Sequence, residues 1–563
     1  MKKYYYIIII VLATFSFVSC KKDFLDVKNI PADMPIDMMY KTYDYAQDVV
    51  WRAYSFLPDG FASMDMEAAT DDAYHTNVNN RSHTFNYGVW NQFNNPDGGA
   101  WSNCFDGIYQ ANLHLKHRGE IDLSYLSNGI VNNDSTNYKK AVLNVKFMEG
   151  ECYFLKAFFY FELVKRYGGV PIIDQAVDYN NPDTWKSLPR NSVNDCFKYI
   201  VSLCDKAAVI IPDSVRTSLT WYESGRATYG AIKALKARAL LYAASPLFKE
   251  AGSAFTWEDA AAAANDVIKM NVYSLPTANT SYTDIFGATN AATTEAIFFR
   301  RFGDQNGFEF NNFPIMFEKS NGNSITPSQN FVDEFEVKSG STAVPFDWSN
   351  PTHAANPYSN RDPRLAATVV YNGASFSSNT IQTYVGGNSG QPKLNATKTG
   401  YYLSKYVNPS VSLTNNTKTK HQWLYFRYGG LLLDYAEAMF NAYGANSDPK
   451  GYGMTALQAL NKVRTRAGVA MPALTNLSQE AIMHERRVEL GFEGHRLWDV
   501  RRWKKAATYF KAPLNRMEIT FDGSKFTYAV KKLEDRVYEE KMNWYPIPQN
   551  EIVKTGWAQN TGW

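Results

Sequence analysis

The feature that most constrains how this chain folds is a set of long apolar stretches with a helical period. Between residues 144 and 167, Met148, Cys152, Leu155, Phe159 and Leu163 recur at spacings of four, three, four and four. That spacing puts them on one face of a helix that must be covered by other elements. Gly168-Gly169 and then Pro171 stop the run. Residues 226–244 behave similarly, with Ala231, Leu235, Ala239 and Tyr242 on one stripe and Pro246 beyond the end, which reads as a buried helix whose small side chains allow close packing. Further helices are predicted at 38–56, 101–117, 193–210, 257–270, 425–443, 455–467 and 479–505. Paired helices in this number indicate a helical-hairpin scaffold of the tetratricopeptide kind, although the strict repeat signature of that motif is absent.

The N-terminus is read separately from the fold. Lys2 and Lys3 precede a nearly continuous apolar run over residues 4–17, followed by Val18-Ser19-Cys20. A membrane-spanning helix needs about 20 apolar residues, and this run is shorter. It reads as a lipoprotein signal peptide, 1–19, with Cys20 as the lipidated first residue of an exported, membrane-anchored protein; an ordinary secretory signal is the alternative. Net charge is only +3 and the basic residues are scattered, which argues against a nucleic-acid partner. The remaining cysteines, Cys104, Cys152, Cys196 and Cys204, form no CxxC pair, so neither a zinc site nor a redox motif is expected. Cys196 and Cys204 lie about 12 Å apart along one predicted helix, beyond the roughly 7 Å that a disulfide spans, and buried free thiols are expected.

Aromatic residues make up 15% of the chain, with 37 Tyr, 34 Phe and 13 Trp. Part of this must be core, and a surplus of Tyr and Trp suits ligands that combine an apolar face with polar edges, as sugars do. Between residues 277 and 421 the texture changes: Asn, Ser, Thr and Gly rise, the helical period vanishes, and β-prone runs appear at 367–371 and 401–407. The organisation expected is an N-terminal helical portion, 20–276, a variable loop-rich insertion, 277–421, and a C-terminal helical portion, 422–563, that completes the scaffold. A second loop-rich stretch covers 69–100. Loops presented by a rigid scaffold are where binding residues concentrate.

The C-terminal part carries a distinctive signature: Glu485-Arg486-Arg487-Val488-Glu489-Leu490-Gly491-Phe492-Glu493-Gly494-His495-Arg496-Leu497-Trp498-Asp499-Val500-Arg501-Arg502-Trp503, then Trp544-Tyr545-Pro546-Ile547-Pro548 and Gln559-Asn560-Thr561-Gly562-Trp563. With Cys20-Lys21-Lys22-Asp23-Phe24-Leu25-Asp26, the run from Phe154 to Tyr160 leading into Gly168-Gly169-Val170-Pro171, Asn360-Arg361-Asp362-Pro363-Arg364 and Asn461-Lys462-Val463-Arg464-Thr465-Arg466-Ala467-Gly468, it resembles the RagB/SusD family of outer-membrane nutrient-uptake lipoproteins of Bacteroidetes. The resemblance implies a mainly α, SusD-like helical-hairpin (tetratricopeptide-like) scaffold with a loop-rich insertion containing short strands. It also implies non-catalytic glycan capture at the outside of the outer membrane, beside a SusC-like TonB-dependent barrel transporter. Capture of peptide or glycoprotein by the same fold is one alternative, and a lipid-anchored glycoside hydrolase is another.

The acids of the signature, Glu485, Glu489, Glu493 and Asp499, with His495, invite a reading as a glycosidase carboxylate pair. Arg486, Arg487, Arg496, Arg501 and Arg502 interleave with them at three- and four-residue spacings, and an ion-paired helix that locks the scaffold is the better account. His484-Glu485-Arg486-Arg487-Val488 lacks the second histidine of a zinc-protease motif. Gly387-Asn388-Ser389-Gly390 is a turn with only His353 and His421 nearby in sequence, short of a serine-protease constellation. No catalytic residue is therefore assigned. Ligand contacts are expected from the loops: Trp90 as a stacking platform, Asn91, Arg81, Asp71 and Asp72 as polar neighbours, and Phe308, Phe310 and Trp348 completing an aromatic arc. Trp90 and the other aromatics can equally be core. Trp101, which shares a face with Phe105 and Ile108, is expected to be structural. No cofactor is expected; the acids near Asp71 admit Ca2+, but without EF-hand spacing.

Overall fold

The computed structural model describes residues 41–128, 135–178, 180–213, 219–278, 281–287 and 294–563. The signal segment, Cys20 and the motif that follows it lie outside the described residues. The chain forms two units. The smaller, from residues up to 48 and 117–145, holds the first turns of helix α1 (Tyr43–Ser55) and of α3 (Thr136–Tyr167) and a short helix, Ser124–Asn128. In it the Tyr125 hydroxyl accepts from the Tyr43 backbone N–H at 3.2 Å, and Asn144 Nδ2 donates to the Tyr43 hydroxyl.

The larger unit, 49–116 and 146–563, contains everything that concerns the candidate site. After α2 (Gly99–His117) and the rest of α3 come α4 (Val193–Ile210), α5 (Tyr229–Ala244), α6 (Trp257–Lys269), α7 (Tyr428–Tyr443), α8 (Ala456–Arg464), α9 (Gln479–Leu490), α10 (Arg496–Arg502) and α11 (Gln549–Thr555). Side-chain caps start several of these helices: Ser192 before α4, Thr228 before α5, Ser478 before α9, and reciprocal capping boxes of Thr256 with Asp259 and Thr455 with Gln458. Packing runs in series, α4 on α5, α5 on α6, α6 on α7 and α7 on both α8 and α9. The insertion is thus spliced between α6 and α7, two helices that still touch. This is the mainly α, helical-hairpin arrangement with short strands anticipated from the apolar period.

The predicted stripe of α3 is fully buried, with Met148, Cys152, Leu155, Phe159 and Leu163 at 1% exposure or less. Burial extends all round the helix from Phe154 to Val164, so α3 is a central helix and not a half-covered one. It is approached closely by α2: a Cβ at Gly107 would lie 2.4 Å from the Phe159 ring, so only glycine permits this contact. A second apolar cluster fills the insertion, centred on Phe331, Phe335, Tyr401, Tyr402, Trp423 and Phe492.

The strands are short two-stranded antiparallel ribbons. The two β-prone runs pair with each other, Val369 with Leu403 and Val370 with Tyr402. Ala73–His75 pairs with Ile325–Pro327, which ties the 69–100 loop to the insertion. Two ribbons escaped the sequence reading. Ala296–Gln305 pairs with Thr419–Arg427, so Tyr425 belongs to a strand and α7 begins only at Tyr428; Leu514–Phe521 and Phe526–Glu534 form a hairpin late in the chain.

The helix predicted at 479–505 is in fact two, α9 and α10. Phe492 and Gly494 between them have φ of 63° and 78°, a left-handed conformation that no α-helix can continue through and that glycine tolerates best. The ion pairing expected along that helix is also differently organised. Among the acids of the segment, only Asp499 with Arg502 is a local pair, at 2.8 Å. Glu485 is held by Arg364 and Arg464 at 2.6 and 3.0 Å, and Glu489 by Arg364 and Arg427 at 2.9 and 2.8 Å. Glu493 is held by Arg427 and Lys405 at 2.7 and 2.6 Å. The partners come from the insertion and its flanks, so the segment locks the scaffold to the insertion and not merely to itself.

Candidate ligand-binding cleft

A half-open cleft of about 670 Å³ lies in the larger unit. Ser55 to Asp59, the turn after α1, supplies one wall with Ala62 and Ser63; Pro96, Asp97 and the first turns of α2 supply another; Glu162 and Arg166 of α3 and Arg300 of the strand Ala296–Gln305 close the floor. Phe56, Leu57, Pro58 and Ala62 give it an apolar side.

Its polar groups form one chain of ion pairs. Arg81 binds Asp65 through Nε and Nη2, both at 2.8 Å, and reaches Asp97 Oδ1 at 3.3 Å. Arg166 donates to the other Asp97 oxygen at 2.9 Å and to Glu162 Oε2 at 2.6 Å. Lys165 donates to Glu162 Oε1. Burial works to raise the Glu162 pKa, but Lys165 and Arg166 outweigh it and hold the carboxyl below its usual range. The Arg81 side chain is one third exposed at the cleft, and its three guanidinium nitrogens are fixed in place by Asp65, Asp97 and the Pro96 carbonyl.

The cleft deepens into a cavity of about 120 Å³, with which it shares Pro58, Ser63, Asp97, Glu162 and Arg166. Phe158, Phe161, Tyr242, Trp423 and Trp498 line that inner space, together with Glu67. Glu67 accepts a hydrogen bond from the Gly494 backbone N–H at 2.7 Å through Oε1, while Oε2 is buried without a partner. Burial, with the charge of Asp72, pushes the Glu67 pKa up to about 8.

Of the residues predicted to bind ligand, Arg81 lies in this cleft. Trp90 is only 3% exposed and is wedged against Phe85, Tyr545 and Trp563, with ring centroids 4.6 to 5.3 Å apart. It anchors its loop from the inside, so the stacking platform expected there is corrected to a core contact. Asn91 is exposed, and its Oδ1 accepts from the backbone N–H groups of Phe93 and Asn94 at 2.8 and 3.2 Å. This turn holds Phe93 outward at 76% exposure, a solvent-facing aromatic that the sequence reading passed over.

Asp71 and Asp72 are buried and held by arginines, Asp71 by Arg487 and Arg496 at 2.9 Å each and Asp72 by Arg487 at 2.7 Å. For Asp71, burial acts to raise the pKa, and the two guanidinium groups override it and bring it to about 2. Both acids therefore tie the loop to α9 and α10, and neither lines the cleft described above. Their charges are met by arginines, and among the described residues no cluster of His, Cys, Asp or Glu could hold a metal ion.

The expected aromatic arc is not assembled. Phe308 is buried against Phe61 and His421, while Phe310, in the same short helix, is 41% exposed. Trp348 stacks edge-on against Phe346 at 4.9 Å and donates its Nε1–H to Asp333 at 3.0 Å. Trp101 is buried against Phe105 and Tyr167, and the described cysteines are buried and form no disulfide.

The cleft residues that sequence reasoning missed are Asp59, Asp97, Asn103, Glu162, Arg166 and Arg300. A signal existed for two of them: Glu162 and Arg166 are charges set into an otherwise apolar helix, which is costly unless they are paired or used.

Comparison with known proteins gives consistent results. Residues 294–563 match the model of the SusD family, and residues 23–241 match a family model described as starch-binding, associating with the outer membrane. SusD-like protein P38 of Formosa agariphila is 22% identical over 438 residues, 74% of each chain. A SusD-like protein from Bacteroides fragilis has a similar structure, with a TM-score of 0.75 at 24% identity, covering 94% of this chain and 98% of the other. A SusD-like carbohydrate binding protein from the same organism gives 0.73 at 22% identity, covering 92% and 99%. Among the described residues no helix is long and apolar enough to cross a membrane.

Proposed function

Because this chain belongs to the RagB/SusD family, we propose that it captures oligosaccharide or polysaccharide without cleaving it. In this reading it is lipidated at Cys20, sits on the outer face of the outer membrane, and delivers its ligand to a SusC-like TonB-dependent barrel. The observation that carries the reading is the half-open cleft, in which a part-exposed guanidinium and paired acids stand beside an apolar wall. A sugar needs such a combination, a flat apolar contact with a few fixed hydrogen-bonding groups. The exposed Phe93 sits in the same loop as Pro96 and Asp97 and offers a ring for stacking.

The same geometry argues against hydrolysis. A glycosidase needs one carboxyl kept protonated and a second, free carboxylate across the bond. Glu67 meets the first condition, but its acidic neighbours do not meet the second: Asp72 is held by Arg487, and Glu493 by Arg427 and Lys405. In the cleft itself, Glu162 and Asp97 are each bound by two basic side chains, and Asp59 Oδ1 is engaged as a helix cap by the Ala62 backbone N–H at 3.0 Å.

The test uses the soluble chain beginning after Cys20 against a panel of plant, microbial and host polysaccharides. Arg81→Ala and Phe93→Ala are expected to weaken binding at least about tenfold, the equivalent of about 1.4 kcal/mol, with the far-UV spectrum unchanged. Binding that survives both changes would move the site elsewhere. Release of shorter sugars during incubation would overturn the non-catalytic reading.

A further inference from the structure

Behind the loop anchored by Trp90 lies a small cavity of about 10 Å³, lined in part by Trp90, Arg501, Phe510, Arg536 and Tyr538. It holds one water-sized sphere. Arg501 of α10 is 3% exposed, makes no ion pair among the described residues, and its Nε and Nη1 hydrogens have no well-aligned acceptor there. The indole N–H of Trp90, also 3% exposed, has none either. Arg536, the other cation of the lining, is satisfied: it binds Glu534 at 3.0 Å and the carbonyls of Ala68, Thr70 and Ala73.

Two kinds of group lie against Arg501, and neither balances its charge. The ring faces of Trp498 and Tyr545 are 5.4 and 5.1 Å from its guanidinium carbon. The hydroxyls of Tyr538 and Tyr545 lie within hydrogen-bonding reach of Arg501 and can accept from it, but burial pushes both pKa values up to about 12, so they remain neutral and supply no counter-charge. A buried guanidinium without a counter-charge is costly, and unpaired buried N–H groups add to that cost. The Trp90 indole and Arg501 thus line one small space, and no acid among the described residues pairs with Arg501.

We propose that this cavity is a binding site for a monovalent halide, chloride under ordinary conditions, held by the Arg501 guanidinium and the Trp90 indole N–H. The ion neutralises Arg501 and pins the inner end of the 87–97 loop to α10. It is independent of the glycan reading, since the cavity does not share a lining residue with the cleft.

The experiment is crystallisation of the soluble chain in bromide, with diffraction recorded at the bromine edge, beside melting curves in sodium chloride and sodium gluconate at equal ionic strength. An anomalous peak between Trp90 Nε1 and Arg501 is expected, together with a saturable rise in melting temperature of about 1–2 °C in chloride over gluconate. Trp90→Phe keeps the ring and removes the donor, and is expected to lose most of that rise; Arg501→Met is expected to abolish it. Density at the site without an anomalous signal, or melting that is identical in chloride and gluconate, would mean that the cavity holds water and would overturn the proposal whether or not the variants fold.

Discussion

At neutral pH Glu67 keeps its proton. Burial is the main cause, the charge of Asp72 adds to it, and the single N–H of Gly494 does not offset them, so the pKa stands at about 8. A group whose folded pKa lies above its unfolded value contributes stability that is complete below the unfolded pKa, here near 4.5, and is lost as pH rises through the folded one. Glu67→Gln imitates the protonated form at every pH. The variant is therefore expected to melt with the wild type at pH 4 and above it at pH 8, by an amount on the order of 4 kcal/mol. Melting curves across that range check this, and a constant difference would show that folding does not raise the Glu67 pKa. A second residue-scale expectation concerns Trp563, whose ring packs against Trp90 at 4.6 Å and whose Nε1–H donates to the carbonyls of Lys541 and Trp544. Trp563→Ala is expected to cost about 3 kcal/mol and to expose the Trp90 side chain, readable as a red shift in fluorescence emission.

At the scale of elements, α9 and α10 act as a clasp. Glu489 faces Arg364, Arg427 and Arg466 in a fully buried position, and against the effect of burial the three guanidinium groups hold its pKa at about 2. Glu489→Ala leaves those arginines one charge short and is expected to cost about 3–5 kcal/mol. Glu518→Ala, which removes a part-exposed pair with Arg516, is expected to cost less than about 1 kcal/mol. Urea denaturation of both variants distinguishes a clasp from a decorative network. The helices themselves were legible because their apolar stripes follow a 3.6-residue period, as in α3 and α5, and because capping residues mark their starts. The clasp was not: Arg364 and Arg427 are more than sixty residues from Glu489 in the chain, and no local period encodes such pairs. The break between α9 and α10 has a trace in the sequence, Gly491 and Gly494 three residues apart, but glycines inside a run of helix-compatible charges do not by themselves reveal a left-handed φ. Trp90 looked like a platform because its neighbours in sequence are polar, whereas its burial is decided by Tyr545 and Trp563 at the far end of the chain. Phe93 is exposed for a local reason, the Asn91 turn, which was readable but was outweighed by the more conspicuous tryptophan.

At the scale of the larger unit, the same ion pairs connect three regions that are far apart in sequence: the 69–100 loop through Asp71 and Asp72, the insertion through Arg364 and Lys405, and the helical scaffold through α7, α9 and α10. Stability should then fail in all three together when the acids are protonated. Asp71 and Glu489 have folded pKa values of about 2 against 3.8 and 4.5 for the free groups, whereas burial raises Asp72 and takes it out of this set. Their contribution is present above the unfolded values and is lost as pH falls from about 4 toward 2. Two buried histidines begin the loss earlier. Burial lowers His75 to about 4 and His495 well below 6.5, so the unfolded chain takes up protons at both as pH drops below 6.5, an effect that Glu67, protonated only in the folded state there, offsets in part. Acid titration is expected to show a shallow decline in melting temperature between pH 6.5 and 4.5 and a steep one below 4. In the steep limb, helical ellipticity and the near-UV signal of the aromatic-rich insertion are expected to fall along one curve, because the groups being protonated are those that join the two. An insertion signal lost a full pH unit before the helices would mean that the clasp is not what holds them together, and that each rests on its own apolar cluster.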